Sequence, residues 1–169
     1  MKQSGTFFVK GEKIVLKRDG TWIADGVEIT HEQTREVFFR SIHWDEKGDD
    51  TGKHYCLKIG YETMFIEVED TPFFVTTISH EGSKILASVT DGHEIQIKPQ
   101  NISYKNESLY LQVGNNQKAR FLSPAFYEIL KELQEDKSSY YLTIEGQKVI
   151  LAKKDEKTAS RPGALKRQK

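Results

Sequence analysis

The sequence predicts an α+β protein built as two tandem hairpin-helix-hairpin repeats with mostly antiparallel strands, joined by a central β segment. Three observations carry that expectation. Asp-Gly at 19-20, 25-26 and 91-92, Gly-Asn-Asn at 114-116 and Glu-Gly at 145-146 each stand between short runs rich in Val, Ile, Tyr and Phe, as tight antiparallel hairpins require. Only two segments carry a helical period. Around each of them the turn signals recur in the same order.

The elements follow in chain order. Turn spacing gives about ten short strands in all. In "THEQTREVFFRSI", Thr30 is placed to cap with Gln33 three residues on, and Val37, Phe38 and Ile42 fall on one face. In "SPAFYEILKELQE", Ser123 is the expected N-cap, Pro124 suits the first helical position, and Phe126, Ile129, Leu130 and Leu133 form the apolar stripe. Trp22 precedes Gly26 by four residues, as Tyr110 precedes Gly114. After each helix come a loop, a strand, a glycine (Gly60, Gly146) and a further strand. The divisions are an N-terminal extension (1-12), repeat 1 (13-72), a connecting β segment (73-105), repeat 2 (106-152) and a tail (153-169). A unit of this size cannot cover both faces of its sheet, so the copies are expected to pack along a seam.

Composition limits the function classes. The chain has 169 residues, 37% of them apolar and 11% aromatic, enough for a folded core of one domain or two small ones. Its 25 basic and 25 acidic side chains cancel, which removes the global positive field that draws proteins to nucleic acid or anionic lipid. From Ala152 onward seven basic residues face two acids, so the body is mildly acidic and the tail basic. That tail has Pro and Gly and no apolar period, and disorder is expected there. The single cysteine, Cys56, excludes an internal disulfide and fits a reducing compartment. "MKQSGTFFVKGEK" offers no export signal, so the expected location is the cytoplasm.

"RDGTWIADGVEI", "IEVEDTPFFV", "VTDGHEI" and "LYLQVGNNQKARFLSPAFYEIL" occur in an order and spacing that resemble a bacterial family catalogued as domain of unknown function 1285, over roughly residues 13 to 152. The acidic segment before Pro72 and Phe73 is the most specific part. The resemblance implies a small α+β protein of two repeated motifs with no established activity and a suspected role in regulation or signalling. This chain departs from the pattern in a longer acidic insertion at 43 to 53 and in "GYETMF", where the pattern has a basic residue before the strand.

The candidate site residues are Arg18, Trp22, Glu67, Glu69, Asp70 and Arg120. In "FIEVEDTPF", read as one strand, Phe65, Glu67 and Glu69 share a face and Ile66, Val68 and Asp70 the other. Two carboxylates about 6.5 to 7 Å apart on a strand match the spacing of an inverting glycosidase pair, but any wet strand face supplies as much. Asp70, before Thr-Pro, is placed to accept backbone N–H bonds as a turn acid. Trp22 and Tyr110 read as core packing of each hairpin on its helix, or as walls of a pocket at the seam. Arg18 and Arg120 read as cross-sheet ion pairs, or as a hook for carboxylate or phosphate.

Other motifs fail on spacing. "GDDTGK" at 48-53 is one residue short of a phosphate loop and has His54 where Ser or Thr would bind magnesium. His43, His54 and Cys56 lack the ligand number of a structural zinc site, and Cys56 reads as a small buried apolar residue. No catalytic residue, metal or cofactor is therefore assigned. The expectation is a non-catalytic module that binds a protein or a small molecule in regulation or signalling, without nucleic acid or membrane. The alternatives are a hydrolase using Glu67 or Glu69 at the seam and a weak nucleic-acid binder working through the tail.

Overall fold

A computed structural model describes residues 12–114 and 116–154. The expectations for the tail and the N-terminal extension lie outside the described residues, apart from Glu12, Lys153 and Lys154. The chain divides between Phe73 and Phe74 into two compact units. Both are α+β.

In the first unit, β1 (Ile14–Leu16), β2 (Trp22–Ala24) and β3 (Val27–Glu28) form an antiparallel meander. Asp25 and Gly26 turn β2 into β3 with φ of 48° and 81°, the doubly left-handed turn whose twist matches paired strands. Helix α1 (Glu32–Arg40) follows, then a second antiparallel meander of β4 (Ile42–Trp44), β5 (Tyr55–Ile59) and β6 (Glu62–Phe65). Strand β7 (Glu67–Val68) returns to the first sheet and runs parallel to β1, pairing Val15 with Glu67 and Leu16 with Val68. Trp22, fully buried, meets Phe38 and Phe39 edge-on, with ring centroids 5.2 and 5.3 Å away. That geometry sets the positive ring edge against a negative face. It ties the first hairpin to α1.

In the second unit, β8 (Phe73–Glu81), β9 (Lys84–Val89), β10 (Glu94–Ile97), β11 (Ile102–Lys105), β12 (Ser108–Gly114) and β13 (Gln117–Phe121) form one sheet in the order β10-β9-β8-β13-β12-β11. Helix α2 (Ser123–Leu130) then leads to a three-stranded antiparallel sheet of β14 (Gln134–Glu135), β15 (Ser139–Ile144) and β16 (Gln147–Lys153). Leu109, Leu111, Ala119, Ile129 and Leu142 are buried here. Before β15, the Asp136 carboxylate accepts the N–H groups of Ser138 and Ser139, both at 2.8 Å, and the Lys148 ammonium. The lysine bond is the largest of the effects that hold this carboxyl well below its ordinary range.

Several sequence expectations change. There are sixteen strands among the described residues, because two-residue pairs such as β3, β7 and β14 are too short to show alternation. α1 is capped by His31, whose Nδ1 accepts from Thr34 N–H, so Thr30 lies one residue outside. Val37 is 37% exposed, and Phe38 and Phe39 form the buried face. Ile42 belongs to β4 and Leu133 lies past the end of α2, although both are buried. The N-cap of α2 is Leu122, with no side-chain cap bond, and Ser123 is the first helical residue.

Candidate functional site

The stretch "FIEVEDTPF" is not one strand. β6 ends at Phe65, and Ile66 is buried while its N–H donates to Tyr55 C=O at 2.9 Å. β7 then pairs in the other sheet. Burying Ile66 takes precedence over continuous alternation, so Glu67 and Glu69 are positioned by a change of sheet. The Glu69 carboxylate accepts from the Lys17 ammonium at 2.6 Å and from Arg18 N–H at 2.9 Å. The Lys17 bond, followed by the Arg18 bond, holds its pKa below the usual carboxylate value. Among the described residues Glu67 makes one ion pair, with Lys13 at 3.4 Å, between side chains 47% and 63% exposed.

Beside Glu67 the first unit has an open hollow of about 270 Å³, lined by Trp44, Gly52, Lys53, His54, Tyr55, Ile66, Glu67 and Val68. Its wall is aromatic. The Trp44 indole stacks on the His54 imidazole at 4.7 Å and 16°, and Tyr55 meets the indole edge-on at 4.9 Å. Trp44 remains 49% exposed. Trp44 and Tyr55 are cross-strand partners of β4 and β5, and this register brings the two rings together.

The connection from Asp45 to His54 holds that wall in place through acid-capped turns. Asp45 accepts from Lys47 N–H at 2.9 Å and Gly48 N–H at 3.1 Å. Asp49 accepts from Thr51 N–H and from Lys53 N–H, each at 2.9 Å, and from the Thr51 hydroxyl at 2.7 Å. The Thr51 hydroxyl, then Lys53 N–H, lower the Asp49 pKa. His54 Nδ1 lies 2.9 Å from Asp45 C=O and must carry the proton it donates there.

Arg18, Trp22 and Asp70 are not among the residues that line this hollow. Arg18 is exposed in the turn between β1 and β2, and Trp22 is enclosed by α1. Asp70 is exposed in the bend after β7, where the Thr71 hydroxyl donates to Phe73 C=O at 2.9 Å. Arg120 belongs to the second unit, opposite Tyr110 in the sheet, with Nε donating to Ser108 Oγ at 3.2 Å. Cys56 is buried, and burial pushes its thiol up, away from nucleophilic use. Among the described residues no three His, Cys, Asp or Glu side chains are grouped to hold a metal ion. No helix among them is long and apolar enough to cross a membrane. Of the residues that line this hollow, the sequence singles out Glu67 as a candidate, passes over Trp44, Lys53 and Tyr55, and sets His54 aside with the zinc motif. The available signal was an aromatic residue at each end of an Asp- and Gly-rich insertion.

The architecture just described also occurs in two solved structures. A protein of the DUF1285 family from Silicibacter pomeroyi DSS-3 superposes with a TM-score of 0.60 at 17% identity, over 83% of this chain and 80% of that one. The chain has the DUF1285 fold. A second DUF1285 family protein, from Shewanella baltica OS155, gives a TM-score of 0.55 at 15% identity, over 73% of this chain and 94% of that one. No family model matches the sequence, and no curated protein does. The DUF1285 fold therefore accounts for the scaffold, and the chemistry must be read from the hollow itself.

Proposed function

We propose that the protein is a non-catalytic binding module of regulatory or signalling character, with the Trp44–His54–Glu67 hollow as its ligand site. The observation that carries this reading is the half-exposed indole, held flat against an imidazole whose orientation is fixed by a backbone carbonyl. A large apolar ring kept rigid and wet is what a recognition surface needs, because little entropy is lost when a ligand covers it. The hydrolase alternative requires one carboxyl group raised toward neutrality. Glu69 is shifted the other way, and its carboxylate already takes two hydrogen bonds.

The reading extends to the architecture as two copies of one motif. In its support, a three-strand meander, a helix and a second meander recur as β1 to β6 with α1 and as β11 to β16 with α2. Trp22 and Tyr110 lie on the middle strands, and Gly60 and Gly146 in the last hairpin turns. Superposing the two units tests it, with Trp22 expected on Tyr110 and Gly60 on Gly146.

The binding site is tested by recording methyl and indole NMR spectra of the intact protein against a set of small soluble fragments. Saturable shifts confined to Trp44, Ile66 and Val68, and lost in Trp44→Ala, are the expected result. Fragments that bind only elsewhere would overturn the assignment.

A further inference from the structure

The size and chemistry of the hollow narrow what it holds, a step that rests on the hollow being the binding site. At about 270 Å³ it falls below the roughly 300–1,000 Å³ of sites that enclose a drug-sized ligand, so it suits a single large side chain. Lys53 and Glu67 both line it, beside Trp44 and Tyr55. Walls with one cation and one anion favour neither sign of charge, and aromatic rings favour an apolar body. A neutral ring with a hydroxyl tip suits both, because a phenol O–H donates to a carboxylate and its oxygen accepts from an ammonium. Those are the properties of a tyrosine side chain.

The chain itself presents one. Tyr61 is fully exposed, beside Gly60 at the tip of the β5–β6 hairpin, whose other end supplies Tyr55 and Ile66 to the hollow. Tyr61 and Ile66 lie about 17 Å apart at the usual rise of an antiparallel strand, too far for the ring to reach the hollow of its own chain. A second copy has no such limit. Among the described residues β6 is an edge of its sheet. Because Ile66 N–H donates inward to Tyr55 C=O, the alternate residues Thr63 and Phe65 turn their backbone groups outward. Antiparallel pairing of β6 with β6 of a second copy about Met64 sets Thr63 against Phe65 twice, and brings each Tyr61 level with Glu67 of the other copy. Such an arrangement is self-complementary and closed. We infer that the protein forms a two-fold dimer in which Tyr61 of each copy fills the hollow of the other, its ring against Trp44 and its hydroxyl between Lys53 and Glu67.

The test combines sedimentation velocity with NMR of the intact protein over a concentration series. A monomer–dimer equilibrium is expected, with the Trp44 indole and the Ile66 and Val68 methyls shifting as the dimer forms. Tyr61→Ser should weaken association at least tenfold and remove those shifts, whereas Tyr127→Ser, which alters an exposed tyrosine on α2, should leave both unchanged. Mixing labelled Tyr61→Ser with unlabelled Trp44→Ala pairs an intact hollow with an intact Tyr61, and the labelled Trp44 indole should then shift again. A chain that stays monomeric at millimolar concentration, or a dimer indifferent to Tyr61→Ser, would overturn the assignment. If fragments still move Trp44 in that case, the hollow stands as a binding site and the dimer falls alone. If they do not, site and partner fall together.

Discussion

The Lys17 ammonium donates to the Glu69 carboxylate at 2.6 Å across 52 residues of sequence, joining the turn after β1 to the end of β7. The partnership shifts both groups, Glu69 downward and Lys17 upward, each chiefly through the hydrogen bond to the other. For Glu69 the folded pKa is depressed, so its contribution to stability is present above the unfolded value of about 4.3 and is lost as pH falls through the folded one. Lys17 contributes below about 10.4 and loses its contribution as pH rises through its raised value. Urea denaturation should therefore show stability falling between pH 6 and pH 3. Glu69→Gln should reduce that fall, and an unchanged pH slope in the variant would count against the coupling.

The two tryptophans should separate cleanly. Trp22→Ala empties a fully buried site and is expected to cost about 3–5 kcal/mol. Trp44→Ala removes a half-exposed ring and should cost about 1 kcal/mol or less. Denaturant midpoints of the two variants give the comparison, and comparable losses would place Trp44 in the core rather than on a recognition surface.

Glycine 48 is required where glycine 52 is only preferred. Both have left-handed backbones, φ +69° and +83°, but a Cβ on Gly48 would lie 2.7 Å from the Lys53 carbonyl and 3.0 Å from His54 Nδ1, whereas one on Gly52 meets nothing within 4 Å. Gly52→Ala is expected to cost about 1 kcal/mol from backbone strain alone, and Gly48→Ala clearly more. Gly48→Ala should also shift the Trp44 indole resonance by disturbing the stack on His54. Equal costs with an unmoved resonance would mean that the connection adapts freely.

The second unit has a parallel test in Asp136. Asp136→Ala removes the acceptor of Ser138 N–H, Ser139 N–H and the Lys148 ammonium, so native-state hydrogen exchange should quicken across β15 and β16. The β1 and β2 amides should keep their protection. Uniform quickening throughout the chain would show that the effect is global.

These contrasts explain what was legible in the sequence. The turns at Asp25-Gly26 and Glu145-Gly146 were readable because a left-handed turn leaves a local signature, and the two helices because apolar spacing is local too. The helix starts were misplaced by one residue. His31 capped where Thr30 had the stronger propensity, and Leu122 entered α2 with no side-chain cap. The sheet change at Ile66 left no trace, since Ile66 to Glu69 alternates apolar and acidic residues as a single strand would. The hollow was hidden for a similar reason: Trp44 and His54 are ten residues apart and meet only because the acids between them fold the insertion back.

The parallel pairing of β1 with β7 also sets an order of events during synthesis. β1, β2 and β3 can pair as soon as they are made, and α1 and the β4–β6 meander rely on equally local contacts. The outer side of β1 must wait until the chain has grown past Val68, with the helix and the whole second meander in between. Closing so long an excursion carries an entropic cost that grows with its length, and non-local pairing of this kind slows folding. Until β7 arrives, the nascent amino-terminal sheet presents a bare edge to any passing strand, which makes that interval the time of greatest exposure to misassembly.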